Sequence, residues 1–347
     1  MSARPRIIAL ETAVPPFILN QDDASARAAL LFQGRHDISR LLPVFENTGI
    51  ERRYSCVPID WYTENHGWKE RTALYLEHAE ALLEKITLTC LETAGLKPED
   101  LDAIVVASTT GIATPSLDAL LVEKMKLRRN IVRLPIFGFG CAGSVLGLAR
   151  AAALARTMPG SRVLFLVVEL CALTFRKDDL SKSNIVAAAL FGDGAAGCIL
   201  SADGNGPEIG ASGEYTWPAS LDVMGWEVEE DGLKARFATS IPSLVARDFR
   251  RIAGEFTRAN DIDLSDIDAF ACHPGGAKVL DALETALSLT PGALAESRAT
   301  LRDFGNMSAA TAMFVLKAME HRSPRERRMM TALGPGFSAG FLMLEGR

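Results

Sequence analysis

The sequence predicts a layered α/β fold built from two related halves. Three observations carry that prediction: short apolar runs bounded by turn residues, one helix that is apolar almost all round, and landmarks that recur about 165 residues apart. The runs are Ala103–Ala107, Val163–Leu170, Ala269–Cys272 and Phe341–Leu344. Continuous apolar runs of this length fit strands buried on both faces. Ala142 to Ala155 is small and apolar nearly all round, as a helix buried inside the protein would be. Strands alternating with helices give layers.

The repeat comes from comparing the halves. Asp100-Leu101-Asp102-Ala103 leads into an apolar run, and Asp266-Ile267-Asp268-Ala269 does so 166 residues later. Phe139-Gly140-Cys141 opens a helix, and Phe304-Gly305-Asn306 opens another 165 residues later. Gly192-Asp193-Gly194 precedes one closing strand, and Gly334-Pro335-Gly336 takes the matching place before the other. Short matches of this kind also arise by chance, but three in the same order argue for a duplicated unit. The expected division is residues 1–205, carrying Cys141, and 206–347, carrying His273 and Asn306.

The chain has 347 residues, is 48% hydrophobic and carries a net charge of −6 with both signs interspersed. A sizeable core is possible. The basic face that nucleic-acid binding needs is missing. The six cysteines are scattered, with no CxxC pair and no metal-ligand spacing. The first residues lack the apolar core of a secretion signal, and the run Val163–Phe175 is interrupted by Glu169 and too short for a bilayer. The expectation is a protein of a reducing cytoplasm with no membrane span.

Three residues could carry chemistry. Cys141 stands in Gly138-Phe139-Gly140-Cys141-Ala142-Gly143, directly before the buried helix. A helix N-terminus offers free N–H groups and partial positive charge, which favour a thiolate. Glycines let the chain turn and a ligand approach. The competing view is a buried packing cysteine. The same six residues also fit the G-x-G-x-x-G dinucleotide fingerprint. However, Glu169, the acid on the next strand, lies 31 residues from Gly138 rather than about 20. His273 follows Ala269–Cys272 and precedes Pro274-Gly275-Gly276, at a strand end facing the crevice where α/β sheets bind ligands. His36, His66, His78 and His321 sit in polar surroundings and read as surface residues. Asn306 alone would pass for a helix N-cap. As the repeat's counterpart of Cys141 it becomes a hydrogen-bond donor facing the thiol.

Together these segments resemble the chalcone synthase-like, or type III polyketide synthase, family. That family pairs a Cys in a GFGCAG-like turn with a His in HPGG and an Asn in GNMS. All three stand here, at Gly138–Gly143, His273–Gly276 and Gly305–Ser308, with LFGDGAA at Leu190–Ala196. The closing loop departs from the pattern, with Ala332-Leu333-Gly334-Pro335-Gly336 where GFGPG is common. HPGG and GNMS favour this branch over ketoacyl-ACP synthases of the III type, which usually carry an HQAN-like motif.

The resemblance implies a thiolase fold, αβαβα twice over, and a homodimer. It implies that Cys141 takes an acyl group from an acyl-CoA, and that His273 and Asn306 bind the thioester oxygen of malonyl-CoA as it loses CO2. His273 would also pair with Cys141 as imidazolium and thiolate. Metal and redox cofactors are not implied. Arg40, Arg52 and Arg53 are candidates for the CoA phosphates, joined by Gly275, Gly276 and Lys278, while Pro43 and Asn47 fall where relatives are basic. Phe191 matches a gating phenylalanine, cavity positions fall on Thr109, Thr110, Thr114 and Thr174, and Gly334, Pro335 and Gly336 shape the floor. A second gate falls on Ala235 when counted back from Pro242, with Phe237 two residues on; an alanine there would widen the passage. The stretches Arg53–Pro58, Trp61-Tyr62 and Val168–Cys171 look like bacterial members that use long fatty acyl starters, so alkylpyrone or alkylresorcinol products are expected. The alternatives are a ketoacyl synthase performing one condensation, a nicotinamide-dependent oxidoreductase, and a lipid-binding scaffold without catalysis.

Overall fold

The computed structural model describes residues 4–31 and 41–346. The N-terminal half runs β1 (Arg6–Ala13), β2 (Phe17–Asn20), α1 (Gln21–Leu31), α2 (Pro43–Glu46), β3 (Arg52–Ser55), α3 (Trp68–Ala94) and β4 (Ala103–Ala107). It continues with α4 (Leu117–Lys124), β5 (Val132–Ile136), α5 (Gly143–Thr157), β6 (Arg162–Leu170), α6 (Lys182–Leu190) and β7 (Asp193–Ser201). The C-terminal half runs β8 (Glu208–Thr216), β9 (Met224–Glu229), β10 (Gly232–Phe237), α7 (Ile241–Arg258), β11 (Ala269–Cys272) and α8 (Ala277–Leu287). It closes with α9 (Ala295–Phe304), α10 (Ala310–Ala318), β12 (Arg328–Gly334) and β13 (Ser338–Glu345).

The repeat is visible in the strand order. One sheet runs β11-β12-β13-β8-β1-β7-β6-β4-β5. Walking outward from the centre, β1-β7-β6-β4 on one side mirrors β8-β13-β12-β11 on the other. β4 and β6 are parallel, as are β11 and β12, while each closing strand, β7 or β13, runs antiparallel. Within the sheet the halves join where β1 meets β8, with Arg6 opposite Glu208. The edge strand β5 has no counterpart in the second half.

Alternation along the strands sorts the layers. In β4, Ala103, Val105 and Ala107 face the central core, and Ile104 and Val106 face the opposite side. The central core also takes α5, α10 and inward residues of β11, β12 and β13. An outer cluster packs α3 and α4 on the first half, and another packs α7 and α8 on the second. The result is α3/α4, sheet, α5/α10, sheet, α7/α8, the five layers of the thiolase fold. Small residues let α5 press on the strands. A Cβ on Gly147 would lie 2.7 Å from the Phe165 ring. α3 ends at Gly95, whose left-handed φ of 65° suits glycine.

One expectation needs correction. His66 is not a surface residue. It is 7% exposed, stacks on Trp61 with ring centroids 3.9 Å apart, and hydrogen-bonds the Glu70 carboxylate and the Trp61 carbonyl. His36 and Arg40 lie outside the described residues. Among the described residues, no helix is long and apolar enough to cross a membrane, and no cluster of His, Cys, Asp and Glu could hold a metal ion.

Candidate active site

Cys141 is buried in a single 3-10 turn, Gly140–Ala142, at the start of α5. Packing sets this turn. Gly140 has φ +47°, and a Cβ there would lie 2.5 Å from Pro335 Cδ; a Cβ on Gly334 would lie 2.3 Å from the Phe139 carbonyl. The Gly334–Gly336 turn therefore buttresses the nucleophile's turn from behind. It was expected in the cavity wall, but Thr331, Ala332 and Leu333 stand there instead. Of the three glycines of the supposed dinucleotide fingerprint, Gly140 is accounted for by this close approach, Gly143 by Ala309, whose Cβ would lie 3.0 Å from a Cβ there, and Gly138 by its φ of +100°.

His273 and Asn306 arrive from the other half. The His273 amide donates to the Thr331 carbonyl at 2.8 Å, which extends the β11–β12 pairing and fixes the ring at the strand end. Asn306 sits before α10, as Cys141 sits before α5. Its amide donates to the Leu190 carbonyl at 2.8 Å and its carbonyl accepts from Gly192 at 3.0 Å, locking it beside Phe191. Asn306 Oδ1 accepts from the Ser308 amide at 2.8 Å, which turns Nδ2 towards the Gly275 carbonyl at 3.4 Å and towards Cys141. Cys141, His273 and Asn306 line one cavity of about 520 Å³ whose walls are mostly apolar.

Burial works against the expected thiolate–imidazolium pair. Burial pushes the Cys141 thiol up to about 12, partly offset by hydrogen bonds with Ser308 and Asn306. Burial pushes His273 down to about 3. The thiol donates to Ser308 Oγ at 3.6 Å, and both ring nitrogens of His273 are without partners among the described residues. Burial thus works against both charged forms, and among the described residues no hydrogen bond to the His273 ring offsets it.

The model of chalcone and stilbene synthases, N-terminal domain, matches residues 3–204, and that of the C-terminal domain matches residues 208–346. The chain belongs to the chalcone and stilbene synthase family. It is similar to a putative chalcone synthase of Bacillus subtilis (strain 168), 35% identical over 97% of each chain. It is also similar to a 1,3,6,8-tetrahydroxynaphthalene synthase of Streptomyces peucetius subsp. caesius, 34% identical over 97% of this chain and 92% of that one. Among solved structures, the 1,3,6,8-tetrahydroxynaphthalene synthase of Streptomyces coelicolor A3(2), a bacterial type III polyketide synthase, superposes with a TM-score of 0.95. It is 26% identical and covers 99% of both chains. The chain is thus a condensing acyltransferase with the thiolase fold, and the oxidoreductase alternative falls.

Among the remaining positions matched to the family, Phe191, Gly275, Gly276 and Lys278 line the Cys141 cavity, with Pro43 and Asn47 beside them. Ala235 does not. It is buried on β10 opposite Trp226, and Phe237 lines the cavity instead, edge-on to Phe191 with centroids 5.6 Å apart. The passage is therefore not widened by a small residue there. Thr174 lines a second pocket behind Phe191. Thr110 Oγ1 accepts from the Leu170 amide at 2.8 Å, and Thr114 is exposed; neither lines the cavity. Arg52 is exposed and pairs with Asp303 at 3.8 Å, while Arg53 is buried away from the cavity mouth.

Three features were not anticipated. Lys182 lines the cavity and is exposed. Ser308 faces the nucleophile, and its place in the Gly305–Ser308 motif was the available signal. Glu169, weighed only as a nucleotide ligand, is fully buried, with Thr109 N–H and O–H donating to its carboxylate at 3.1 and 2.7 Å. Burial pushes Glu169 up to about 7 against those bonds. A carboxyl whose folded pKa is raised adds stability below its unfolded pKa and loses it as pH rises through the folded value. Glu169→Gln cannot ionise. Urea titrations should show the variant gaining on the parent by about 3 kcal/mol between pH 4.5 and pH 8. A difference that stays constant with pH would contradict a buried, titrating Glu169.

Proposed function

We propose that the chain loads a medium- or long-chain fatty acyl group from CoA onto Cys141 and extends it with malonyl-CoA. The chain then closes to an alkylpyrone or alkylresorcinol. The observation that carries this reading is the convergence of Cys141, His273 and Asn306 on one largely apolar cavity. In loading, Cys141 Sγ attacks the thioester carbonyl, its proton passes to His273, and CoA leaves as the thiol. In extension, the malonyl carboxylate leaves as CO2 and the electron pair forms an enolate. The enolate carbon attacks the acyl-Cys141 carbonyl and the cysteine sulfur leaves. Two hydrogen-bond donors aimed at the enolate oxygen are what this step needs. No redox change occurs and no metal is required, because the thioester itself delocalises the carbanion.

Lys182 and Lys278 stand exposed where the cavity opens, and they are suited to the CoA phosphates that Pro43 and Asn47 cannot hold. Phe191 and Phe237 would gate the way inward. A second copy is proposed to cover the free edge of the sheet. There β5 pairs only with β4 and leaves Val132 and Phe137 40% and 59% exposed. Light scattering that gives a monomer mass would remove that part.

Intact-protein mass spectrometry with a panel of acyl-CoAs tests the whole. C8 to C16 chains should label Cys141 faster than short or aromatic acyl groups, and added malonyl-CoA should release products longer by several two-carbon units. A single two-carbon extension would turn the reading towards a ketoacyl synthase. A naphthalene product from malonyl-CoA alone would overturn the fatty starter. Replacing both lysines by alanine should raise KM for acyl-CoA while sparing acyl-pantetheine; equal losses for both would contradict a phosphate contact.

A further inference from the structure

Arg53 has no part in the chemistry above, and its surroundings are those of a ligand-binding group. It lies on β3 opposite Leu19 of β2 and is 3% exposed. Its stem is wedged against two glycines that flank the active-site segments. A Cβ on Gly192 or Gly305 would come within 3.1 or 3.2 Å of Arg53 Cβ. Nε and Nη1 are buried and have no hydrogen-bond partner among the described residues. Asp193 acts on Arg53 at a distance, but its own oxygens are taken, Oδ1 by the Ala172 amide at 2.8 Å and Oδ2 by the Cys56 amide at 2.7 Å. Burial brings Arg53 down only to about 10, so it remains a cation at neutral pH.

The guanidinium lines a pocket of about 60 Å³ whose walls include Leu19, Ala28, Phe45, Cys171 and Phe191. That volume holds roughly four water-sized groups. The other polar side chains of its wall are engaged. Arg27 pairs with Asp60, Tyr62 with Ser55, Thr174 with the Cys171 carbonyl, and Asn184 with backbone groups of Arg176 and Asp179. Phe191 lines both this pocket and the Cys141 cavity, so one ring stands between them. A chain carried by Cys141 and passing Phe191 would meet apolar walls and then a buried cation with free N–H donors. Such a group matches a carboxylate, which accepts charge-assisted hydrogen bonds from it.

We propose that this pocket receives the far end of the acyl group on Cys141, and that Arg53 makes it selective for a chain ending in a carboxylate, the monothioester of a dicarboxylic acid. The proposal rests on acyl loading of Cys141 and narrows the substrate class of that same site. The loading step is unchanged: the Cys141–acyl bond forms, the CoA–acyl bond breaks, and the distal carboxylate takes no part.

The test compares self-acylation by CoA monothioesters of C4 to C12 dicarboxylic acids with monocarboxylic acyl-CoAs of equal length. Adducts are followed by intact mass. At one or more lengths the dicarboxylic member should react about 10- to 100-fold more efficiently, the range that charge-assisted hydrogen bonds give. In Arg53→Met the ratio should fall to one or below. Adducts from both series with a ratio near one at every length would overturn this proposal alone, leaving Arg53 to ordered water. A preference that survives in Arg53→Met would overturn the role given to Arg53. No adduct from either series would overturn the loading reading and this one with it. If the variant does not fold, the wild-type ratio still decides.

Discussion

Cys141→Ala is expected to form no acyl adduct with any acyl-CoA and to lose polyketide formation by at least about 10⁴-fold, the scale seen when a covalent nucleophile is removed. The variant should fold. The site is buried and alanine removes one sulfur atom from a turn held by Gly140 against Pro335, so the stability cost should be about 1 kcal/mol. Cys171 makes this a sharp test. It is a second buried thiol whose titration is coupled to that of Cys141, and it lines the pocket behind Phe191. It lies before no helix as long as α5, and burial and the carboxylates Glu169 and Asp193 push it well above the usual thiol range. Peptide mapping after acylation should therefore find the label on Cys141 alone. A label on Cys171, or an adduct that persists in Cys141→Ala, would sink the assignment. Malonyl-CoA decarboxylation should survive in Cys141→Ala, because the two donors that stabilise the enolate are untouched.

The layered fold was legible in the sequence because its strands are buried on both faces. Ala103–Ala107 and Ala269–Cys272 are uninterrupted apolar runs, and both are strands with those bounds. The repeat was legible because each half brings its chemistry to the same structural place, the chain just before a central helix. The catalytic candidates were legible as motifs, but their charge state was not. The pull of burial on Cys141 and His273 depends on how completely the layers close over them, and no local pattern encodes that. The same holds for Arg53 and His66, which sit in polar sequence and are buried by distant segments. The cavity wall was least legible. A shift of two residues along β10 exchanges Ala235 for Phe237. Both residues have the same strand parity, so alternation gave no reason to prefer either.

Asn306→Ala is expected to slow malonyl-CoA decarboxylation by about 10²- to 10³-fold, as loss of one oxyanion donor does elsewhere. The structure says why Asn306 is ready to donate. Its Oδ1 is committed to the Ser308 amide, which orients the amide group, and its Nδ2 is held only by the long contact to Gly275 and by the Cys141 sulfur. His273→Ala should do as much or more. The imidazole is neutral well below pH 7, so one ring nitrogen carries a proton it can donate, and neither nitrogen is engaged elsewhere. The two variants should part company in the loading step. Asn306 does not take the thiol's proton, so Asn306→Ala should keep Cys141 acylation within about tenfold while decarboxylation collapses. His273→Ala should slow both, since the proton from Cys141 then has no acceptor in the cavity. His273→Gln, which restores a donor but not a base, should recover decarboxylation more than loading. Loss of loading with decarboxylation intact in Asn306→Ala would overturn its role as an enolate donor. Equal recovery of both steps in His273→Gln would show that His273 acts by position and not as the base.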